Sequence, residues 1–138
     1  MEKSLVLIKP DAVDTGSGGA IINRFEKLGL RVVALKMLHM DKALAERHYA
    51  VHRDKPFFTG LVKYITSSPI IAFVLEGAGA VELIRQTMGA TDPAKAEAGT
   101  IRADFGLNVE HNSTHASDSV ENAEQEIRLF FTEDEIFS

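Results

Sequence analysis

The chain has 138 residues, of which 45% are hydrophobic and 25% charged, with a formal charge of −5 and no cysteine. That size and apolar content support one domain, residues 1–138, with a sizeable core, and the lack of cysteine excludes disulfide staples and thiolate metal sites. A negative balance with no basic cluster argues against a nucleic-acid binder. No apolar run reaches the roughly 18 residues of a membrane span, so a soluble, cytoplasmic protein is expected.

Leu5 to Ile8 is a short apolar run ended by Lys9-Pro10, a buried strand that delivers a lysine at its C-terminal edge. Gly16-Ser17-Gly18-Gly19 opens a helix with Ile21, Ile22, Phe25 and Leu28 as its apolar positions and Gly29 as its stop. Arg31 to Met40 reads as a second strand, and Asp41 caps a brief helix through Tyr49. Pro56 starts another helix, with Phe58, Leu61, Val62 and Ile65 on its buried side, and Ser67-Ser68-Pro69 stops it. Ile70 to Leu75 is almost wholly apolar and is expected to be a central strand. Ala80, Val81, Ile84 and Met88 mark a helix that ends at Gly89.

From Ala90 to Gly99 periodicity fades into a long ordered loop, with residues 94–98 able to form a turn of helix. A fourth strand is expected between Thr100 and His115. Asp118, with Glu121 three residues on, is expected to cap a last helix whose apolar stripe is Val120, Ala123, Ile127 and Phe130 or Phe131. The order of elements fits an α+β fold, a split βαβ sandwich with helices covering a mainly antiparallel sheet.

The densest chemistry is the run Asn112-Ser113-Thr114-His115-Ala116-Ser117-Asp118-Ser119, which places an imidazole, hydroxyls and a carboxamide just before a helix N-terminus, where an anion is favoured. Glu126 lies on that helix, on a stripe with Ser119 and Asn122, within reach of a ring nitrogen of His115. Fixing one nitrogen leaves the other as a nucleophile. The plainer reading of the same run is a loop with a helix cap. Phosphoryl transfer also needs cations around the spreading oxygens, and a cation about 4 Å from a phosphate charge is worth about 4 kcal/mol at an effective dielectric near 20, before desolvation. The candidates are Lys9, Arg85 and Arg102, with Thr91 between the arginines. Taken singly, Arg85 also suits the last turn of a helix and Arg102 an ordinary surface.

Two other motifs fail on inspection. Gly16-x-Gly18-Gly19 after a strand lacks the third glycine of a dinucleotide fingerprint and the Gly-Lys-Ser/Thr of a P-loop. His111, His115 and Asp118 as a metal trio lack a helix that would converge them.

The His115 run, together with Ile8-Lys9-Pro10-Asp11-Ala12, Lys55-Pro56-Phe57-Phe58 and Gly99-Thr100-Ile101-Arg102-Ala103-Asp104-Phe105, resembles nucleoside diphosphate kinase through nearly the whole chain. The resemblance implies a ferredoxin-like split βαβ sandwich with a four-stranded sheet. It implies a ping-pong reaction in which His115 takes the γ-phosphoryl group of a nucleoside triphosphate and passes it to a different nucleoside diphosphate. Mg²⁺ is implied as the cofactor, carried by the nucleotide phosphates with no protein ligands.

Carried over by position, Glu126 orients the ring, Lys9 and Asn112 contact the ribose, Arg85, Thr91 and Arg102 hold the phosphates, and Tyr49 and Ser117 line the histidine pocket. Phe57 stacks on the base with Val109 opposite, which suits any base because every base has a π-face. Read alone, Phe57 would pack in a core beside Phe58 and Tyr49 at a helix end. Ala116 stands where the family usually has glycine, Thr15 where a basic residue is common, and Ala98 where many members have proline. A homo-oligomer is implied, with a hexamer favoured over a tetramer because the chain ends soon after the last helix. A noncatalytic relative would lack the nucleophile or a phosphate ligand, and every matched position here is filled by a competent residue.

Overall fold

The computed structural model describes residues 1–138. Its strands are β1 (Glu2–Ile8), β2 (Arg31–Leu38), β3 (Ile70–Gly77) and β4 (Thr114–Ala116), and its helices are α1 (Pro10–Asp14), α2 (Gly18–Glu26), α3 (Lys42–His48), α4 (Phe58–Ile65), α5 (Ala80–Met88), α6 (Ile101–Phe105) and α7 (Val120–Phe130). The sheet order is β2-β3-β1-β4, and every pairing is antiparallel. This is the α+β split βαβ sandwich expected from the order of elements, with the ferredoxin-like arrangement that the family resemblance implies. Strands β1 and β3 are central, which is why both read as unbroken apolar runs.

Both faces of the sheet are covered. Leu5 and Leu7 of β1 join Ile65 of α4 and Ile127 and Phe130 of α7 on one side. Val6 and Ile8 point the other way, toward Phe25 of α2, Ile84 and Met88 of α5 and Ile101 of α6. Phe73 of β3 is fully buried against Phe25. Truncating a phenylalanine in such a place costs about 3–5 kcal/mol. No helix is long and apolar enough to cross a membrane.

The structure corrects the reading at the weakly patterned segments. Ile101–Phe105 is a helix capped by the Thr100 hydroxyl, and the fourth strand is only Thr114–Ala116, at the very end of the expected interval and one residue past it. An edge strand this short leaves no period-2 signature. The last helix is capped by Ser119, whose hydroxyl accepts from the Asn122 amide, while Asp118 accepts from the Asn122 side chain. Val120 consequently faces solvent rather than the core. Helix α1 has no sequence period because a single turn has none. The Ala90–Gly99 loop holds a 3-10 turn at Pro93–Lys95.

Two backbone positions set the site. Gly89 ends α5 at φ 84, and a Cβ there would lie 2.5 Å from Thr100 Oγ1, so only glycine lets the start of α6 pack this closely. Ser113 holds φ 73, the only non-glycine residue with positive φ. Such a conformation costs on the order of 1–3 kcal/mol and persists where its surroundings impose it.

Candidate active site

The strand order brings the ends of β1 and β4 side by side. Lys9, the residue after β1, donates its backbone N–H to the carbonyl of Ser113, 2.8 Å away, and Leu7 lies opposite His115 in the ladder. Ser113 is fixed from its other side as well, because its N–H donates to Asp11 Oδ2 at 3.0 Å. The Tyr64 hydroxyl donates to Asp11 Oδ1 at 2.7 Å and accepts from the Asp11 amide at 2.8 Å. This latch aims His115. Ala116 sits in β4 without a positive φ, so the methyl group it adds where glycine is usual brings no backbone strain.

His115 Nε2 lies 2.6 Å from Glu126 Oε1, between the edge strand and the middle of α7. An acceptor-only carboxylate assigns the ring proton to Nε2 and leaves the lone pair on Nδ1. His48, the last residue of α3, packs edge-on against His115 with ring centroids 4.6 Å apart. Burial, then the neighbouring His115, His52 and Lys9, hold His48 well below its ordinary pKa of 6.5, so it is neutral at physiological pH. Burial likewise pushes the Tyr49 phenol far up, keeping it a neutral hydroxyl.

The cations converge although sequence scatters them. Lys9 Nζ donates to Asn112 Oδ1 and to the Glu110 carbonyl, each at 2.9 Å, and the Asn112 amide donates to the Thr91 carbonyl at 3.0 Å. Arg102 reaches from α6 to the carbonyls of Gly89 at 3.2 Å and Thr114 at 2.9 Å. Burial lowers its pKa to about 10, with Arg85 adding to the effect, and it stays charged at neutral pH. Burial also lowers Lys9 to about 8, with Arg102 lowering it further and the carboxylates of Asp11 and Glu110 opposing.

The imidazoles of His115 and His48, the carboxylate of Glu126, the Tyr49 phenol and the converging cations line one cleft of about 1000 Å³, while Asp11, Tyr64 and Ser113 lie outside its wall. His115 and Glu126 with the buried Tyr49, Lys9, Asn112 and Arg102 make its inner end, the more exposed Arg85 and Thr91 lie alongside, and the half-exposed Phe57 and Val109 make its mouth. Phe57 and Val109 are 50% and 56% exposed, and the Phe57 ring is tilted against His52 with centroids 5.4 Å apart. Of the residues expected at the site, only Ser117 is absent from the cleft wall. It is fully buried, and its hydroxyl has no partner within the protein.

Sequence reading passed over His48, Asp11 and Tyr64. A signal for His48 existed, since it continues the stripe of Leu44 and Ala45 at helical spacing and so places a polar ring on a buried face. Asp11 and Tyr64 meet across 53 residues, and nothing local reports that.

A cation-lined cleft that ends on an oriented imidazole suits an anionic substrate that the ring can attack. A family model described as nucleoside diphosphate kinase matches residues 2–136. A nucleoside diphosphate kinase of Dehalococcoides mccartyi is 58% identical over 136 residues, covering 99% of this chain and 96% of that protein. One from Pyrococcus abyssi is 57% identical over 139 residues, covering 99% and 87%. Among solved structures, the Aquifex aeolicus nucleoside diphosphate kinase superposes with a TM-score of 0.96 at 41% identity, covering 98% of each chain. That of Halobacterium salinarum, in complex with CDP, gives 0.96 at 48% identity, covering 99% of this chain and 91% of the other.

The chain belongs to the nucleoside diphosphate kinase family. It is a kinase that transfers a phosphoryl group between nucleotides.

Proposed function

We propose that His115 is the phosphoryl carrier of a ping-pong reaction. The observation that carries this reading is the 2.6 Å contact of His115 Nε2 with Glu126 Oε1 at the inner end of the cationic cleft. The Nδ1 lone pair attacks the γ-phosphorus of a nucleoside triphosphate in line with the leaving β-phosphate oxygen. As the N–P bond forms, the ring becomes cationic, and the carboxylate of Glu126 stabilises it through the Nε2 proton. The nucleoside diphosphate leaves, a second one enters the same cleft, and the steps run in reverse.

Arg85, Thr91 and Arg102 hold the phosphates. Lys9 and Asn112, already hydrogen-bonded to each other, contact the ribose hydroxyls, and Lys9 also lies beside the transferring group. Tyr49 and Ser117 shape the histidine pocket, Tyr49 from the cleft wall and Ser117 from behind it. Phe57 and Val109 take the two faces of the base and read none of its edges, which supports broad specificity for base and sugar. The CDP bound by the Halobacterium relative agrees with a nucleoside diphosphate in this cleft.

Mg²⁺ accompanies the nucleotide as part of the substrate and supplies charge neutralisation of the polyphosphate. The cleft has no pair of free carboxylates suited to such a hard ion, since Glu126 is engaged by His115 and the remaining acids, Glu110 and Asp118, come from separate segments. Residues 1–138 act as one domain in the cytoplasm, where its substrates are used. Exposed Leu35 and Met37 on the β2 edge support association of copies, and we place a hexamer ahead of a tetramer, to be read by size exclusion with light scattering.

The test of the carrier is direct. Labelled ATP with Mg²⁺ and no acceptor should yield an acid-labile, base-stable phosphoprotein that unlabelled GDP or CDP discharges. His115→Ala should give no label while keeping its circular dichroism, and label persisting in that variant would refute the assignment.

A further inference from the structure

His48 lines the cleft beside His115 and Glu126, and the transfer reaction gives it no part. Only 1% of its side chain is exposed, and neither ring nitrogen has a partner in the protein. A neutral imidazole carries both a donor and a lone pair, and burying such groups without partners is unfavourable. Packing between Tyr49 and Phe130 would be served as well by phenylalanine. The nitrogens therefore call for a ligand.

Their neighbours indicate its chemistry. His48 Nδ1 lies 3.8 Å from Glu126 Oε1, and the same oxygen is 2.6 Å from His115 Nε2. One ligand atom from each of the three residues lies within 4.8 Å of the others. Two imidazole nitrogens and one carboxylate oxygen make the donor set of a tetrahedral zinc centre with one open position. With metal–ligand distances near 2.0–2.1 Å, donors around such an ion stand roughly 3.3 Å apart, so small side-chain rotations suffice to close on it. Mg²⁺ prefers six oxygens and is a poor match for this set.

We propose that His48, His115 and Glu126 form a site for a zinc-class divalent cation, and that its occupancy silences the enzyme. An ion on His115 Nε2 takes the lone pair of that nitrogen. The ring proton leaves Nε2 for solvent and a proton is taken up at Nδ1, with no net change in protonation. Nδ1 is then an N–H group and no longer a nucleophile, and Glu126 is turned from proton acceptor to metal ligand. Silencing rests on His115 as the phosphoryl carrier; binding of the ion does not.

The probe is Zn²⁺ alone, titrated into the full chain freed of metal and nucleotide. Calorimetry should find one ion per chain, Co²⁺ in its place should show the intense visible bands of a tetrahedral centre, and ¹⁵N spectra should show the His115 proton moving from Nε2 to Nδ1. His48→Phe keeps the ring packing and removes a donor. It should weaken zinc binding by more than about a hundredfold, beyond the effect typical of outer partners. After zinc loading and desalting, phosphoenzyme formation should fall at least about tenfold in the parent chain and much less in His48→Phe, each taken against its own zinc-free rate. His48→Gln serves if His48→Phe does not fold, and the ¹⁵N experiment needs no variant. Absence of saturable zinc binding, equal affinity in the variants, or retention of the Nε2–H form at saturating zinc would overturn the site. Zinc binding with the proton moved but undiminished labelling would leave the site standing and overturn silencing, whereas the carrier itself falls only if His115→Ala still takes label.

Discussion

The inner end of the cleft and its mouth are built by opposite rules. Inside, Lys9, Asn112, Arg102 and Thr114 are buried and cross-bonded, and His115 has its ring nitrogen and its backbone aim fixed by separate partners. At the mouth, Phe57 and Val109 are half exposed and make no side-chain hydrogen bond. Where charge moves between atoms, placement has to be rigid, because a small misplacement forfeits much of the advantage of proximity. On the proposed reading of the mouth, two apolar faces are enough to accept any base.

The contrast predicts a graded series of losses. His115→Ala is the extreme and should lower kcat by at least about four powers of ten, the scale seen when a nucleophile is deleted. Arg102→Ala should come next, at about a thousandfold in kcat/KM, with a lowered melting temperature because two backbone carbonyls lose their donor. Glu126→Gln, which keeps the size but not the charge behind the ring, should lower the rate of phosphoenzyme formation by roughly a hundredfold with little change in nucleotide KM. If Glu126→Gln instead raised KM alone, the inner end would be a binding surface like the mouth and the contrast would fail.

Lys9 gives a sharper test through pH. Burial holds it near pKa 8, so raising pH above about 8 discharges the free enzyme's lysine. kcat/KM, which reports the free enzyme, should then fall on the alkaline side, while kcat holds to higher pH because a bound phosphate keeps the ammonium charged. The same depressed value makes stability rise between about pH 8 and 10.5, since there the unfolded chain binds the proton that the folded one has lost. Lys9→Met should flatten both profiles. At the mouth the expected effects are smallest. Phe57→Ala should cost about 1 kcal/mol of binding, similar for purine and pyrimidine nucleotides, and Val109→Ala less than half of that. A Phe57→Ala loss confined to one base would show that the mouth reads edges after all.

What the sequence made legible follows the same division by range. Elements with a full period, such as β1, β3, α5 and α7, were readable because apolar side chains repeat along them. Helices α1 and α6 and strand β4 were not, since each has five residues or fewer and is held by tertiary partners. Residues that line the cleft were readable where they sit in contiguous motifs, as around His115 and Arg102. His48, Asp11 and Tyr64 were silent because their meaning lies in contacts formed only after folding. Ser117 came through in sequence, yet its hydroxyl is turned into the core behind the cleft wall.

Two nitrogens of Arg102 are committed to the carbonyls of Gly89 and Thr114 before any ligand arrives. Holding a guanidinium in one rotamer costs about 2 kcal/mol of side-chain entropy, and here that loss is incurred when the chain folds. On the proposed reading, a polyphosphate would meet a charge already held still, and more of the attraction between them would be kept as affinity.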